Sequence, residues 1–329
     1  MEATKLIMVE GIPGSGKSTT AQSISKSLDR MGYKHKWWYE EEQGHPVYVY
    51  DDNKAMQKII DDLSSGNYQK VIALALKSWN EFVVEVQSSS DIIIVDSCLF
   101  GYLTWSLFPF EVPKQEIVQY VKDVERIIKP LNPHIIYFYQ SDIGAALEKI
   151  CTRRGEDTEN NFVRAATQSP YGKSKGLIGF KGMVTYWQDY RSIIDQAFQD
   201  LECPKIAINN TDGNWSDYTD EIAAFLGISE EDGSAVNEQN FHHVVGTYSA
   251  ELKGIKDCSL QIQSGNLIAD GLPHTWKQSL LIPRSLHVFD VQSLPFQVRF
   301  VNEDNRLRMY LTGPALLTGP VNYVFTKRM

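Results

Sequence analysis

Gly11-Ile12-Pro13-Gly14-Ser15-Gly16-Lys17-Ser18 fits the pattern G-x-x-x-x-G-K-[ST] at every specified position. A run of this kind does a definite chemistry. Its glycines let the backbone curl until successive N–H groups converge on phosphate oxygens. The helix that follows adds the positive end of its dipole. The lysine reaches β- and γ-phosphates, and the hydroxyl after it ligates Mg²⁺. Gly11, Pro13, Gly14, Ser15, Gly16, Lys17, Ser18 and Thr19 are therefore expected to hold a nucleotide's polyphosphate tail. With average residue usage the pattern arises by chance in a chain of 329 residues roughly once in a hundred.

Four other places carry residues able to join that chemistry. Asp96 closes the apolar run Ile92-Ile93-Ile94-Val95, where an acid at a strand's carboxyl end either helps Ser18 hold Mg²⁺ or touches substrate. An acid there also serves as a helix cap. Glu40-Glu41-Glu42 sets three carboxylates side by side after Trp37-Trp38-Tyr39. Strand alternation would put Glu40 and Glu42 on one side and Glu41 on the other. One of them is expected to orient or deprotonate an acceptor hydroxyl, unless the run is a solvated acidic loop. Arg153-Arg154 ends a helical run, as a clamp on a transferring phosphoryl group or as ordinary cations at a helix C-terminus. Asn210, in Asn209-Asn210-Thr211-Asp212-Gly213-Asn214, frames a nucleotide base or belongs to a plain turn. His45, before a proline, reads as structural or exposed. The lysine- and glycine-rich stretch 169–182 reads as a lid over phosphate or as a surface loop.

The elements around these residues alternate. Leu6–Glu10, Ile92–Asp96, Ile135–Tyr139 and Lys205–Ile208 read as strands, and 36–42 as a further candidate. Helical patterns cover 17–31, about 67–87, 114–128, 142–152, 182–199 and 215–226. Continuous β-branched runs between helices imply a parallel sheet covered on both faces. After residue 228 the pattern changes. Residues 229–240 are polar and read as a linker. Short alternating stretches then run to the end, with Gly265-Asn266 and Asp304-Asn305 at hairpin turns. The chain is thus expected to be α/β over 1–228, followed by a small all-β barrel or sandwich over 241–329.

Composition narrows the partners. Hydrophobic residues make 43% and charged residues 22%, which suits a globular chain and excludes a largely disordered one. The net charge of −9, most of it before residue 230, argues against nucleic acid and anionic lipid. No apolar run approaches the roughly 20 residues of a membrane span. Four scattered cysteines without a Cys-x-x-Cys pair suggest neither zinc nor a disulfide framework, and point to the cytoplasm. A homodimer is compatible with the chain.

On these residues the chain from 5 to about 228 resembles the P-loop nucleoside and nucleotide kinases, nearest to the thymidylate kinase and deoxynucleoside kinase branch. Val9-Glu10-Gly11 is similar to their opening strand, and Glu42-Gln43-Gly44-His45-Pro46 to the stretch after their second strand. Val95-Asp96-Ser97 stands in place of their Asp-Arg or Glu-Arg pair, and the run from Ala146 to Gly155 resembles their lid entry. Tyr39–Glu42 and His45-Pro46 also look like stretches of uncharacterised bacterial members. The resemblance implies ATP and Mg²⁺, with the γ-phosphoryl moved to a small acceptor and the adenine near the lid arginines. Three departures bear on the acceptor: Ser97 and Lys149 stand for arginines, and three glutamates replace a more neutral loop. Residues 241–329 resemble the small lipocalin-like β-domain appended to some serine hydrolases, through Gly246-Thr247-Tyr248 and Leu281-Ile282-Pro283. The expectation is a phosphotransferase acting on a small polar alcohol. The alternative is a nucleotide-gated binding protein without a small-molecule acceptor.

Overall fold

The computed structural model describes residues 4–228 and 241–328, so the expected linker at 229–240 lies outside the described residues. The chain divides into two compact units. The first comprises Met1–Glu40 and Gly44–Ser229, and the second Glu41–Gln43 and Glu230–Met329.

The first unit is built on a parallel sheet of five strands. They are β1 (Leu6–Gly11), β2 (His35–Trp38), β3 (Ile92–Asp96), β4 (His134–Tyr139) and β5 (Lys205–Asn209), in the order β2-β3-β1-β4-β5. Alternation along each strand divides the core in two. Leu6 and Met8 join Ile93, Val95, Ile135 and Tyr137 on one face. Ile7 and Val9 join Ile92, Ile94, Ile136 and Phe138 on the other. The first face is covered by α3 (Tyr68–Ser88), α5 (Lys114–Ile128) and α9 (Gly179–Asp200), the second by α1 (Lys17–Arg30) and α10 (Trp215–Leu226). Burial on both sides explains why the central strands read as unbroken apolar runs.

The structure departs from the sequence reading in places. β2 stops at Trp38, and Glu40 and Glu41 lie in a turn, so strand alternation does not apply to the three glutamates. A helix α2 (Asn53–Ser64) starts where the Asp52 carboxylate accepts the Ala55 N–H at 2.7 Å. Helices α4 (Phe100–Trp105) and α6 (Ile143–Arg154) follow β3 and β4, and α7 (Glu156–Gln168) follows α6. The stretch 169–182 is not one open loop. It holds α8 (Pro170–Ser174) and the start of α9. Ser169 caps α8 by accepting the Gly172 N–H at 3.0 Å, with proline in the first turn. That Ser-Pro pairing is a helix start.

The second unit is a closed barrel and not a sandwich. Its eight strands run from β6 (Gly246–Ala250) through β7 (Cys258–Gln263), β8 (Asn266–Asp270), β9 (Ser279–Pro283), β10 (Val288–Val291), β11 (Gln297–Glu303) and β12 (Arg306–Thr312) to β13 (Asn322–Lys327). Each pairs antiparallel with the next, and β13 returns to β6. Buried Tyr248, Leu260, Phe289, Phe300, Met309 and Phe325 come from alternate positions. Ser264-Gly265 and Asp304-Asn305 have positive φ at both residues, the geometry that lets a two-residue turn follow strand twist. The first of these turns lies one residue earlier than expected. Within this unit the Gln43 N–H donates to Ala315 O at 2.8 Å and the Leu317 N–H to Glu41 O at 3.0 Å.

Candidate functional site

The glycine-rich loop after β1 leaves the middle strand and turns straight into α1. Two of its glycines are fixed by what lies against them. A Cβ at Gly14 would come 3.0 Å from Ile150 of α6, and one at Gly16 would come 2.1 Å from the ring of Trp215 in α10. Gly16 also has φ +104°, a conformation that side chains disfavour. No side chain caps the N-terminus of α1, so its dipole end faces whatever the loop encloses. From the loop after β5, Asn210 donates its amide to Ser15 O at 2.7 Å. Asn210 thus holds the loop backbone in place.

Lys17 is buried and donates to Ile12 O at 3.2 Å, which keeps its ammonium inside the loop. The next strand brings a carboxylate to the same place. Val9 of β1 is in register with Asp96 of β3. Asp96 is fully buried, and its Oδ1 accepts the Trp37 Nε1–H at 3.2 Å. The Ser18 hydroxyl lies near enough to the same carboxylate to favour its charged form. Burial pushes Asp96 above the ordinary carboxylate range, and the negative charge of Glu40 pushes it further. Ser18, Lys17 and Trp37 act the other way. Lys17, Ser18, Asp96 and Glu40 are therefore brought together from three separate segments.

No family model matches the chain, and no curated protein matches it. Among solved structures it is similar to the thymidylate kinase of Ehrlichia chaffeensis, at 11% identity and a TM-score of 0.40. The alignment covers 68% of this chain and 99% of that one. At that distance the likeness says nothing about what this chain binds. No described helix is long and apolar enough to cross a membrane.

The remaining expected residues are placed as follows. α6 is capped by Asp142, which accepts the Ala145 N–H at 3.0 Å. Because Ile150 rests on Gly14, Arg153 and Arg154 follow within about one turn of the loop. Glu42 is buried and bridges Leu316 within the second unit. Glu40 belongs to the first unit and Glu42 to the second. His45 is buried, with neither ring nitrogen hydrogen-bonded. Its ring stacks on Tyr48 at 4.2 Å, and burial pushes its pKa down to about 3.

Sequence reasoning missed the roles of Trp37, Ile150 and Trp215, since each acts on a residue distant in the chain. It also missed Glu10. This fully buried carboxylate, pushed up to about 7 by burial, accepts the N–H groups of Leu99, Phe100 and Gly101. An acid directly after the unbroken apolar run Leu6-Ile7-Met8-Val9 was the signal in the sequence.

Proposed function

We propose that the chain is an ATP-dependent phosphotransferase that moves the γ-phosphoryl group to a hydroxyl of a small polar molecule. One observation carries this reading: an uncapped helix N-terminus behind a glycine loop, with Lys17 inside it and Ser18 set against a buried Asp96.

The loop amides would bind the β- and γ-phosphate oxygens, and Lys17 would offset their charge. Phosphoryl transfer passes through a loose transition state, so positioned positive charge supplies most of the rate. Arg153 and Arg154, at the end of α6, would add to that charge as the phosphoryl moves. Glu40 would orient the acceptor hydroxyl and take its proton.

The donor set suits Mg²⁺. Among the described residues no group of three or more His, Cys, Asp or Glu forms a metal cage. One hydroxyl and one carboxylate, with an unpartnered Asp96 Oδ2, fit an ion that keeps waters and phosphate oxygens in its shell. When bound, Mg²⁺ would neutralise charge on the phosphates, and Ser18 and Asp96 would hold it.

The test is calorimetric titration with ATP and Mg²⁺, followed by ADP release with candidate alcohols. Lys17→Ala should weaken binding by about 2–4 kcal/mol, the cost of losing a charged partner of phosphate. Unchanged turnover in Lys17→Ala would refute the mechanism.

A further inference from the structure

Glu10 is a carboxylate that the phosphate chemistry above does not use. It is the next-to-last residue of β1, and the backbone at the start of α4 occupies its oxygens. Oε1 accepts the Leu99 N–H at 2.8 Å, and Oε2 accepts those of Phe100 and Gly101 at 3.1 and 3.3 Å. α4 has no side-chain cap of its own, so Glu10 does from the neighbouring strand what a local residue does elsewhere.

The segment it holds is strained. Ser97, between Asp96 and α4, has φ +61°. A non-glycine residue keeps that conformation only where its surroundings over-determine it. Two consecutive residues of β1 do so. Val9 O accepts the Ser97 N–H at 2.9 Å, and Glu10 fixes the three N–H groups beyond. From α9, the Tyr190 hydroxyl donates to Phe100 O at 2.5 Å. Asp96 is the residue immediately before this turn, so the backbone that carries its carboxylate runs straight into it.

We propose that Glu10 is a positioning residue for the metal corner: it holds the left-handed turn at Ser97, and thereby sets Asp96 against Ser18. This rests on the reading of Ser18 and Asp96 as the Mg²⁺-holding pair. The proposal separates two parts of nucleotide binding. The loop amides and Lys17 grip phosphate with or without the ion. Only the Mg²⁺-dependent gain passes through Asp96, and so through Glu10.

The experiment is a double-mutant cycle read by calorimetry on the full chain. The wild type, Glu10→Gln, Asp96→Asn and the double variant are each titrated with ATP in Mg²⁺ and in chelator. Glu10→Gln keeps the size of the side chain but turns an amide NH₂ toward backbone donors. The wild type should bind ATP at least about tenfold more tightly with Mg²⁺, and Asp96→Asn should lose most of that gain. Glu10→Gln should lose most of it too, with chelator-measured affinity within about twofold of wild type. The double variant should be no weaker than Asp96→Asn, because residues acting through one group do not add. A folded Glu10→Gln protein with the full Mg²⁺ gain overturns the proposal, as does full additivity. Absence of any gain in the wild type overturns the reading beneath it instead. Should Glu10→Gln not fold, Gly101→Ala perturbs the same turn with Glu10 intact, because its Cβ would lie 2.2 Å from Ser97 Oγ. It should show the same selective loss, and a retained gain there overturns the proposal.

Discussion

His45 makes the stability of the first unit depend on pH in a way that can be worked out in advance. In the unfolded chain its imidazole takes up a proton near 6.5, whereas burial lowers that to about 3 in the fold. Between these values the unfolded state binds more protons, so stability rises with pH and falls on acidification. From pH 7 to pH 5 the unfolded ring becomes charged while the buried ring stays neutral, which costs about 2 kcal/mol. The loss would reach about 4 kcal/mol by pH 3, where the buried ring also begins to take up its proton. His45→Phe keeps a flat ring against Tyr48, now 4.2 Å away and inclined by 20°. It also removes two buried nitrogens that lack hydrogen bonds. Any overpacking by the larger ring affects both pH values alike and cancels in their difference. Denaturant unfolding followed by tryptophan fluorescence reads mainly this unit, since six of the seven tryptophans precede residue 229. The wild type should lose about 2 kcal/mol more than His45→Phe between pH 7 and pH 5. Equal losses would refute a neutral, buried His45.

Gly16→Ala would force a Cβ into the Trp215 ring at φ +104° and should abolish nucleotide binding in calorimetry; adding Trp215→Ala should restore part of it, leaving about 1–2 kcal/mol of backbone strain. Asn210→Ala leaves Ser15 O without its 2.7 Å donor and should weaken ATP binding by about 1–2 kcal/mol, measured in the same titration. Arg284→Ala removes the paired hydrogen bonds, 2.7 and 2.8 Å, to buried Asp290. The barrel should lose about 1–3 kcal/mol by circular dichroism in denaturant, with nucleotide affinity unchanged.

What could be read from the sequence was local. The phosphate loop carries its own geometry in glycine and lysine spacing, so the strand before it and the helix after it follow at once. β3 and β4 were legible because burial on both faces leaves their middle positions unbroken and apolar or aromatic. Asp304-Asn305 named its turn because both residues tolerate positive φ. The failures were long-range or hidden by composition. Glycines and lysines disguised α8, although Ser169-Pro170 marks a helix start. Expecting Glu40 and Glu42 on one face assumed a strand that ends at Trp38. Nothing within ten residues of Glu10 shows that it caps a helix some 90 positions away.

The same division runs through the candidate site. The loop motif supplies a chemistry, but its shape is held by groups it does not contain: Ile150 against Gly14, Trp215 against Gly16, and Asn210 on Ser15 O. If the proposed phosphate binding holds, a loop held open in this way would have less conformational entropy to lose on binding, so more of the contact energy would appear as affinity. The carboxylate side works likewise. Asp96 is one residue, yet Trp37 and Ser18 act directly on its carboxylate, and on the proposal above the turn at Ser97 would help to set it. On the proposed reading, substituting the motif itself would remove a ligand contact outright. Substituting a supporting residue leaves every contact chemically available but misplaced, and the loss should fall on the one it supports: phosphate binding for Asn210, the Mg²⁺ gain for Glu10.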